Sequence, residues 1–361
     1  MWDLEGFGGL PILDIVDAHA GGDVGRVIVG GVVRLPGESV AERARFLEGT
    51  ADGLRRMLIG KPHGDPTVSV NLVVAPSAPG AEFGLIIMGT MGYPGFSGSN
   101  AMCAVAALAA VGRLTLPGGS RELLLETPAG VSALRVSGQG TTVESVSYDA
   151  LPGFVAADDC SVEVGEWGTV CYSLVYGGTC YALVDADAIG MDLTRTPIAE
   201  LRRFLDAFHT VAAPVSRMTH PVLGAMPPLR LSMLAGSVHS ADAGRWVVRV
   251  AVYMEPSVIC YGPTGTGTTA LLAWLRHRQK IAVGTTVRAI SPYGTEFTGT
   301  LTADTTVGST RAVETRIGGT PRLLGRSRVV VDFEDPLIDD HGLRHILDGN
   351  HKATPGDQGP R

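Results

Sequence analysis

The sequence predicts an α+β protein of two similar lobes that face each other across a cleft, and three observations support this fold class. A strand, a loop of small residues, an apolar helix and a strand–turn–strand hairpin follow one another twice along the chain. Apolar residues make up 45% of the 361 residues, which is enough for a large hydrophobic core. The chain also contains 48 glycines, as expected of a protein with many turns between short strands.

The first elements are predicted from their hydrophobic patterns. Residues 11–34 alternate apolar stretches around a glycine turn, which indicates strand, turn and strand. Residues 40–59 place Arg and Leu side chains on opposite faces of a helix. Residues 68–75 and 82–88 are apolar runs of strand length.

A loop and a buried helix complete the first repeat. The loop GTMGYPGFSGSN covers residues 89–100, and the apolar segment AMCAVAALAAVG that follows it predicts a helix with Gly112 as its C-cap. Residues 122–137 then predict a hairpin.

The second repeat has the same order of elements. Residues 246–254 predict a strand, residues 260–270 form a loop of Gly, Pro and Thr, and residues 270–280 predict an apolar helix. Strand, turn and strand follow at 286–303. Ser97 and Thr264 therefore hold equivalent positions in the two loops.

The repeat also predicts how the chain divides. We expect a first lobe at residues 10–180, with the Ser97 loop, and a second lobe at residues 181–340, with the Thr264 loop. The chain is expected to cross back between the lobes near both ends. The polar residues 345–361 are expected to form a frayed tail.

Charge and hydropathy exclude two classes of partner. The net charge is −7, and phosphate contacts need clustered Lys and Arg, so nucleic acid is not an expected partner. The longest apolar run, residues 101–111, falls short of the roughly 20 residues of a membrane span. A membrane partner is therefore not expected either.

The cysteines and the N-terminus predict the compartment. Five cysteines lie scattered without a CxxC pair, which suits a reducing environment and gives no zinc-binding spacing. The first residues, MWDLEGFGG, lack a basic region followed by an apolar stretch, so no secretory signal is expected. We expect a cytoplasmic protein without a bound metal.

Each loop places hydroxyl and glycine residues directly before a helix. Backbone N–H groups at the start of a helix lack helical partners, and the helix dipole favours an anion there. Two facing loops could hold a small carboxylate between Ser97 and Thr264, one on each face of the ligand. This arrangement suits removal of a proton on one face and its delivery, or loss of a leaving group, on the other. The alternative is that both residues only cap their helices.

Nucleotide-binding loops are a poorer match to the second loop. GPTGTGTT lacks the GK[ST] ending of a phosphate-binding loop. It also lacks the third glycine of the dinucleotide fingerprint.

Six segments resemble signatures of the proline racemase family, and the resemblance covers most of the chain. They are DAHAGGD at 17–23, GYPGFSGSN at 92–100, YGGTCYALVD at 176–185, PTGTG at 263–267, GTEFTG at 294–299 and DPL at 335–337.

The resemblance implies a fold like that of diaminopimelate epimerase. Each lobe would be a barrel-like, mostly antiparallel sheet around a central helix, with the active site in the cleft between the lobes. The family works without a cofactor and its members are commonly homodimers. Its racemases carry one cysteine in each loop, and the two cysteines exchange a proton at Cα. Ser97 and Thr264 stand at these positions and are the expected catalytic residues.

The pair of hydroxyls is similar to the trans-3-hydroxy-L-proline dehydratase branch of the family. A thiol with a pKa of about 8.5 can shuttle protons near neutral pH, whereas Ser and Thr hydroxyls are much weaker acids. We therefore expect a lyase or isomerase that removes the Cα proton of a five-membered cyclic amino acid. A dehydratase is the first interpretation.

Three alternatives stay open. One is a double-bond isomerase of a pyrroline-type carboxylate in specialised metabolism. Another is a proline or hydroxyproline racemase or epimerase that uses Cys260 or Cys103. The third is a catalytically weak binding homologue.

The chain departs from the family where the substrate amine is held. The family's second loop opens with Asp-Arg-Ser, and its aspartate contacts the amine, whereas this chain has Cys260, Tyr261 and Gly262. Asp23 is a candidate for the compensating acid, with stabilisation of its own turn as the alternative. A cyclic imine, enamine or N-modified ring would suit this site better than a charged pyrrolidinium.

Eight residues are expected to bind the substrate: Gly98, Ser99, Asn100, Gly265, Thr266, Cys260, Tyr261 and His220. The first five start the two helices. Tyr261 could cover the ligand. His220 begins a His-Pro segment that resembles one near the family's cleft, with a structural histidine as the alternative.

Overall fold

The computed structural model describes residues 9–33, 35–242 and 245–347. The helices in this part of the chain are α1 (Val40–Thr50), α2 (Gly53–Ile59), α3 (Gly98–Ala110), α4 (Ile198–Val215), α5 (Gly265–His277) and α6 (Leu343–Leu347). The strands are β1 (Ile12–Ala20), β2 (Asp23–Gly30), β3 (Ser69–Val74), β4 (Phe83–Met88), β5 (Leu116–Thr127), β6 (Gly130–Gly140), β7 (Thr142–Asp149), β8 (Phe154–Glu163), β9 (Thr169–Tyr176), β10 (Cys180–Asp185), β11 (Thr219–His220), β12 (Gly224–Ala225), β13 (Leu231–Ala235), β14 (His239–Asp242), β15 (Arg245–Met254), β16 (Val258–Ile259), β17 (Thr286–Ile290), β18 (Glu296–Val307), β19 (Thr310–Gly319) and β20 (Pro321–Val330).

Most strands join one continuous sheet. Its first half runs from β20 through β1, β2, β3, β4, β5 and β6 to β7. Its second half runs from β19 through β18, β17, β15, β13, β10 and β9 to β8. Antiparallel pairing of residues 146–149 of β7 with 316–319 of β19 connects the halves. Among the strands of the described residues, four pairs are parallel (β2–β3, β4–β5, β10–β13 and β15–β17), and the others are antiparallel.

Each half of the sheet encloses one helix of 13 residues. α3 packs against β1, β2, β7 and β20, and α5 packs against β8, β9, β18 and β19. Most residues of both helices are buried, because their sequences are dominated by small and apolar side chains. Both helices lie in the same hydrophobic core. The predicted α+β fold, with two lobes of mostly antiparallel sheet around central helices, is confirmed.

Two helical layers cover the outer faces of the sheet. α1, α2 and α6 bury Leu47, Leu54 and Ile346 against the first strands. α4, which was not among the predicted elements, buries Phe204 and Phe208 against the second half. These layers complete cores that the two barrels alone would leave open.

The prediction of one continuous helix at 40–59 is wrong, because the structure has two helices there, α1 and α2. Ala51 ends α1, and the carboxylate of Asp52 then binds Arg55 and Arg56 at 2.7–2.8 Å. Asp52 also accepts a hydrogen bond of 2.9 Å from Tyr93 in the first loop. The break therefore anchors the loop that leads to α3.

The division of the chain at residue 180 stays a prediction. β8 and β9 precede that residue and pack against α5, which favours a division nearer residue 150. β20 returns to pair with β1, as expected of a chain that crosses back between the lobes. In the predicted tail, residues 345–347 belong to α6, and Ile346 and Leu347 are buried. Residues 348–361 lie outside the described part of the chain.

Candidate active site

Ser97 directly precedes α3, and its hydroxyl is held by the first turn of that helix. The backbone of Ser97 is extended, and its side chain makes no capping hydrogen bond. Instead, the amide of Asn100 donates to Ser97 Oγ at 2.9 Å, and Ser99 Oγ lies 3.3 Å away. The interpretation of Ser97 as an ordinary N-cap is therefore wrong for the first loop.

A buried amide chain supports Ser97 from behind. Asn71 on β3 donates to Asn100 Oδ1 at 2.8 Å, so Asn100 can present only its NH₂ group to Ser97. Asn71 is fully buried, and its own Oδ1 has no hydrogen-bond partner in the described structure. Sequence reasoning missed Asn71, because it lies in an apolar strand far from the loop.

Thr264 directly precedes α5 and combines a capping role with a strained backbone. Its Oγ1 accepts a hydrogen bond of 2.9 Å from the N–H of Gly267. Its φ of 57° is a left-handed value that β-branched residues rarely adopt, with a typical cost of about 1–3 kcal/mol. Such strain persists where the surroundings dictate the conformation, as is common at functional sites.

The hydroxyl of Tyr181 ties the second loop together. It lies 2.9 Å from Thr264 Oγ1 and 2.7 Å from Thr266 Oγ1. Burial raises the pKa of Tyr181, so its hydroxyl stays protonated and donates to one of the two threonines. Tyr181 belongs to the segment YGGTCYALVD, which sequence analysis recognised without assigning this role.

The structure brings the starts of the two helices together around one tyrosine. Gly98 and Gly265 are the first residues of α3 and α5. A Cβ added to either glycine would collide with Tyr148 of β7, at the ring and hydroxyl for Gly98 and at the hydroxyl for Gly265. The two helix N-termini thus converge, and Ser99, Asn100 and Thr266 lie in the same first turns.

Asp23 and Cys260 form the wall beside the second loop. Asp23 starts β2, and its carboxylate accepts hydrogen bonds from the backbone N–H groups of Gly262 and Tyr261. Burial raises the pKa of Asp23 from 3.8 to about 6 against the effect of these hydrogen bonds. Burial and the nearby Asp23 carboxylate raise the pKa of Cys260 well above its ordinary value. Position 260 therefore carries a neutral thiol with an acidic group beside it.

This carboxyl predicts a measurable pH dependence of stability. Because the pKa of Asp23 is higher in the folded chain, its contribution is fully present below about pH 4 and is lost as the pH rises through 6. The difference between the two pKa values corresponds to about 3 kcal/mol. Asp23→Asn should therefore raise the free energy of unfolding by up to that amount at pH 8 and by much less at pH 4.5, in urea titrations.

The exposed Glu144 of β7 offers a matched control. Glu144→Gln should change stability equally little at both pH values. A gain in the Asp23→Asn chain that is the same at pH 4.5 and pH 8 would contradict the assignment.

Tyr261 lies at the rim, where the turn between β1 and β2 meets the second loop. Tyr261 is 52% exposed, and its ring lies 4.3 Å from the ring of Tyr293, measured between centroids. The turn requires glycine at position 22, where φ is 102° and a Cβ would come within 2.8 Å of the Tyr261 carbonyl oxygen. An exposed aromatic pair thus lies beside the second loop, and the covering of a ligand by Tyr261 stays a prediction.

His220 packs among aromatic residues of β8 and β9. Its ring meets Phe154 and Tyr176 edge to face, with centroids 5.3 and 4.8 Å away. Its Nδ1 accepts hydrogen bonds of 3.2 and 3.1 Å from the N–H groups of Val222 and Leu223. These contacts favour the structural alternative, and a contact with substrate stays a prediction.

Other features of the described chain lie away from the loops. An open cavity of about 1010 Å³ lies at the far end of α5, beside Arg276, Lys280 and Arg311. Within the described ranges, no group of three or more His, Cys, Asp or Glu side chains is placed to hold a metal ion. None of the helices described here has both the length and the hydropathy of a membrane span.

Two lobes of mostly antiparallel sheet whose central helices meet at their N-termini define the class of diaminopimelate epimerase-like proteins. Within this class, the chain belongs to the proline racemase family, whose model matches residues 15–343. The resemblance seen in the sequence is thereby confirmed. The chain is an enzyme of that superfamily.

Three relatives show the range of the family. A 4-hydroxyproline 2-epimerase of Agrobacterium fabrum is 32% identical over 339 residues, covering 92% of this chain and 96% of the relative. A trans-3-hydroxy-L-proline dehydratase of Burkholderia cenocepacia is 28% identical over 325 residues, covering 90% and 96%. A crystal structure of a hydroxyproline epimerase from Agrobacterium vitis with bound trans-4-hydroxy-L-proline is 28% identical with a TM-score of 0.76, and the match covers 94% of this chain and 98% of that one. Isomerase and lyase activities both occur among these relatives.

Proposed function

We propose that this protein is a cofactor-independent lyase that removes the Cα proton of a five-membered cyclic amino acid and expels a 3-hydroxyl, as in a trans-3-hydroxy-L-proline dehydratase. The observation that carries the proposal is the pair of hydroxyls, Ser97 and Thr264, at two converging helix N-termini. Relatives named for hydroxyprolines support the substrate class.

The substrate carboxylate would bind between the two helix starts. Ser97 gives α3 no side-chain cap, so the N–H groups of Gly98, Ser99 and Asn100 stay available to an anion. In α5, Thr264 caps Gly267 and leaves the N–H groups of Gly265 and Thr266. The dipoles of both helices favour a negative charge at this point.

The ring nitrogen would lie toward the wall formed by Cys260 and Asp23. The family's amine-binding aspartate is replaced by Cys260, but the carboxyl of Asp23 lies beside this segment, with Oδ2 3.5 Å from a Cβ added at Gly262. The same carboxyl contributes to the raised pKa of the Cys260 thiol. An acidic group is thus retained beside position 260. This arrangement supports Asp23 as the compensating acid, in addition to its hydrogen bonds with the second loop.

The proposed reaction uses the two hydroxyls in different roles. Ser97 Oγ, with its negative charge stabilised by the Asn100 amide and the start of α3, takes the Cα proton. The Cα–H electron pair first passes into the carboxylate as an enolate, which the free N–H groups at the two helix starts stabilise. It then forms the bond between Cα and C3 as the C3–O bond breaks. The Cα–H and C3–OH bonds of trans-3-hydroxy-L-proline lie on the same face of the ring, so Ser97 returns the proton to the departing hydroxyl, which leaves as water. Thr264 holds the opposite face, and the enamine tautomerises to a pyrroline carboxylate.

Thiol-based racemisation fits the chain poorly. Burial raises the pKa of Cys103 to about 12 and that of Cys260 well above its ordinary value, so neither thiol readily gives a thiolate near neutral pH. A symmetric exchange between Ser97 and Thr264 is disfavoured as well, because the two hydroxyls have different hydrogen-bond partners.

A second candidate is an isomerase that moves the double bond of a pyrroline-type carboxylate. The neutral Cys260 thiol favours it, since a wall with less negative charge suits an imine or enamine better than a pyrrolidinium. The same Ser97 and Thr264 would then remove and return one proton at different ring carbons.

Proton NMR in D₂O tests the proposal on L-proline, trans-3-hydroxy-L-proline, trans-4-hydroxy-L-proline and pyrroline carboxylates. We expect the Cα signal of the 3-hydroxy compound to disappear as signals of a pyrroline carboxylate appear, with the other saturated rings unchanged. Turnover confined to the pyrroline compounds would support the isomerase instead. Exchange at Cα of L-proline or the 4-hydroxy compound without loss of water would favour an epimerase, and no conversion of any compound would favour a binding homologue.

A further inference from the structure

Tyr148 occupies the point where the two catalytic loops meet. It lies on β7, the strand that connects the two halves of the sheet, and its neighbour on β19 is Ile317. Its side chain lies over Gly98 on one side and Gly265 on the other. Phe96 of the first loop packs edge to face on its ring, with centroids 5.2 Å apart. The position of this ring is thus fixed by both lobes.

The Tyr148 hydroxyl is an unused donor. The residue is only 4% exposed, and its oxygen makes no hydrogen bond within the described residues. The oxygen lies between the first residues of α3 and α5, where a Cβ added at Gly98 or Gly265 would collide with it. Burial raises the pKa of Tyr148, which keeps the hydroxyl protonated.

Packing alone does not explain this oxygen. A phenylalanine ring would fill the same space against Phe96 and the two glycines, without a polar group to desolvate. The two glycines, in turn, leave room for the phenol where any larger side chain would collide with it. The arrangement therefore presents one neutral donor between two sets of free backbone N–H groups.

We propose that the Tyr148 hydroxyl binds the substrate, donating a hydrogen bond to its carboxylate between the first residues of α3 and α5. This inference rests on the proposed function, since it assumes a ring carboxylate in the cleft. It adds a side-chain donor to a cradle otherwise made of backbone N–H groups. The strand β7, which connects the two halves of the sheet, would thereby contribute a side chain to carboxylate binding.

Calorimetric titration of Tyr148→Phe with pyrrole-2-carboxylate tests the inference. This planar ring has a carboxylate but no Cα hydrogen, so it binds without turnover. Loss of a hydrogen bond to a charged group should raise its Kd roughly ten- to hundredfold. The neutral pyrrole-2-carboxamide should show a smaller change, because a hydrogen bond to a neutral acceptor is weaker.

Tyr172→Phe is the matched control. The Tyr172 hydroxyl is also buried, but it lies 3.0 Å from Ser216 Oγ in the core under α4. Its loss should leave the Kd of pyrrole-2-carboxylate unchanged. Equal Kd values for the wild-type protein and Tyr148→Phe, or equal losses for carboxylate and carboxamide, would overturn the inference and leave the proposed function standing. A wild-type protein that binds neither pyrrole-2-carboxylate nor any hydroxyproline would overturn both.

Discussion

Replacing Ser97 by alanine is expected to lower turnover of the ring substrate by about 10²- to 10⁴-fold, the range typical of a group that transfers a proton in the transition state. Ser97 makes no capping hydrogen bond, but its loss leaves the buried Asn100 amide without an acceptor, so the variant should also lose about 1–3 kcal/mol of stability. Thr264→Ala should lower turnover too, and it should also cost about 1 kcal/mol of stability, because Thr264 Oγ1 caps Gly267.

The two variants should also differ in isotope exchange. If Ser97 takes the Cα proton and returns it to the departing hydroxyl, Thr264→Ala should lower exchange of the Cα hydrogen with D₂O and formation of the pyrroline in the same proportion. Ser97→Ala should lose both. Ser137→Ala removes a half-buried serine that pairs with Ser145 across the β6–β7 hairpin, and this control variant should behave like the wild-type protein. A Ser97→Ala enzyme with wild-type turnover would exclude Ser97 from the reaction.

The second large effect is expected at Gly265. Alanine normally stabilises a helix relative to glycine, but here the added methyl group would collide with the Tyr148 hydroxyl, while the next ring atom, Cζ, lies 3.5 Å away. We expect Gly265→Ala to destabilise the protein by about 1–3 kcal/mol and to displace the start of α5. Because the hydroxyl causes the collision, adding Tyr148→Phe should restore most of the lost stability.

Gly98→Ala is the matched comparison, since its methyl group would collide with ring carbons of Tyr148 as well as with the hydroxyl. Adding Tyr148→Phe should therefore not rescue Gly98→Ala. Urea titrations of the single and double variants measure the two coupling energies, and only the Gly265 pair should show a coupling of about 1–3 kcal/mol. Rescue of both glycine variants, or of neither, would contradict the described position of the ring.

The two lobes and their loops could be predicted from the sequence, because the elements of each repeat follow one another along the chain. The apolar helices after Ser97 and Thr264 and the strands before them are each readable within about 20 residues. The 40–59 segment shows the limit of this approach. Its helical periodicity continues through Asp52, whereas the contact with Tyr93 that accompanies the break comes from a loop about 40 residues further along.

The support of the site was less predictable, because it comes from strands remote in sequence. Asn71 reaches Ser97 through Asn100, Tyr181 reaches Thr264 from β10, and Tyr148 reaches both helices from β7. Each is a buried polar side chain on a strand. A buried polar residue in such a strand needs a partner, and this signal could have marked all three as candidates.

The pairing of β20 with β1 has a consequence for how the protein is made. Ribosomes release the chain from its N-terminus, yet residues 12–20 pair with the adjacent β2 on one side and with residues 321–330 on the other. Until β20 has been synthesised, the edge of β1 that pairs with it has backbone donors and acceptors without partners. Contacts between such distant residues also slow the search for the native state. The lobe that begins the chain is therefore among the last parts to be completed, and a nascent chain that stalls before residue 321 leaves a strand edge open to pairing with other chains.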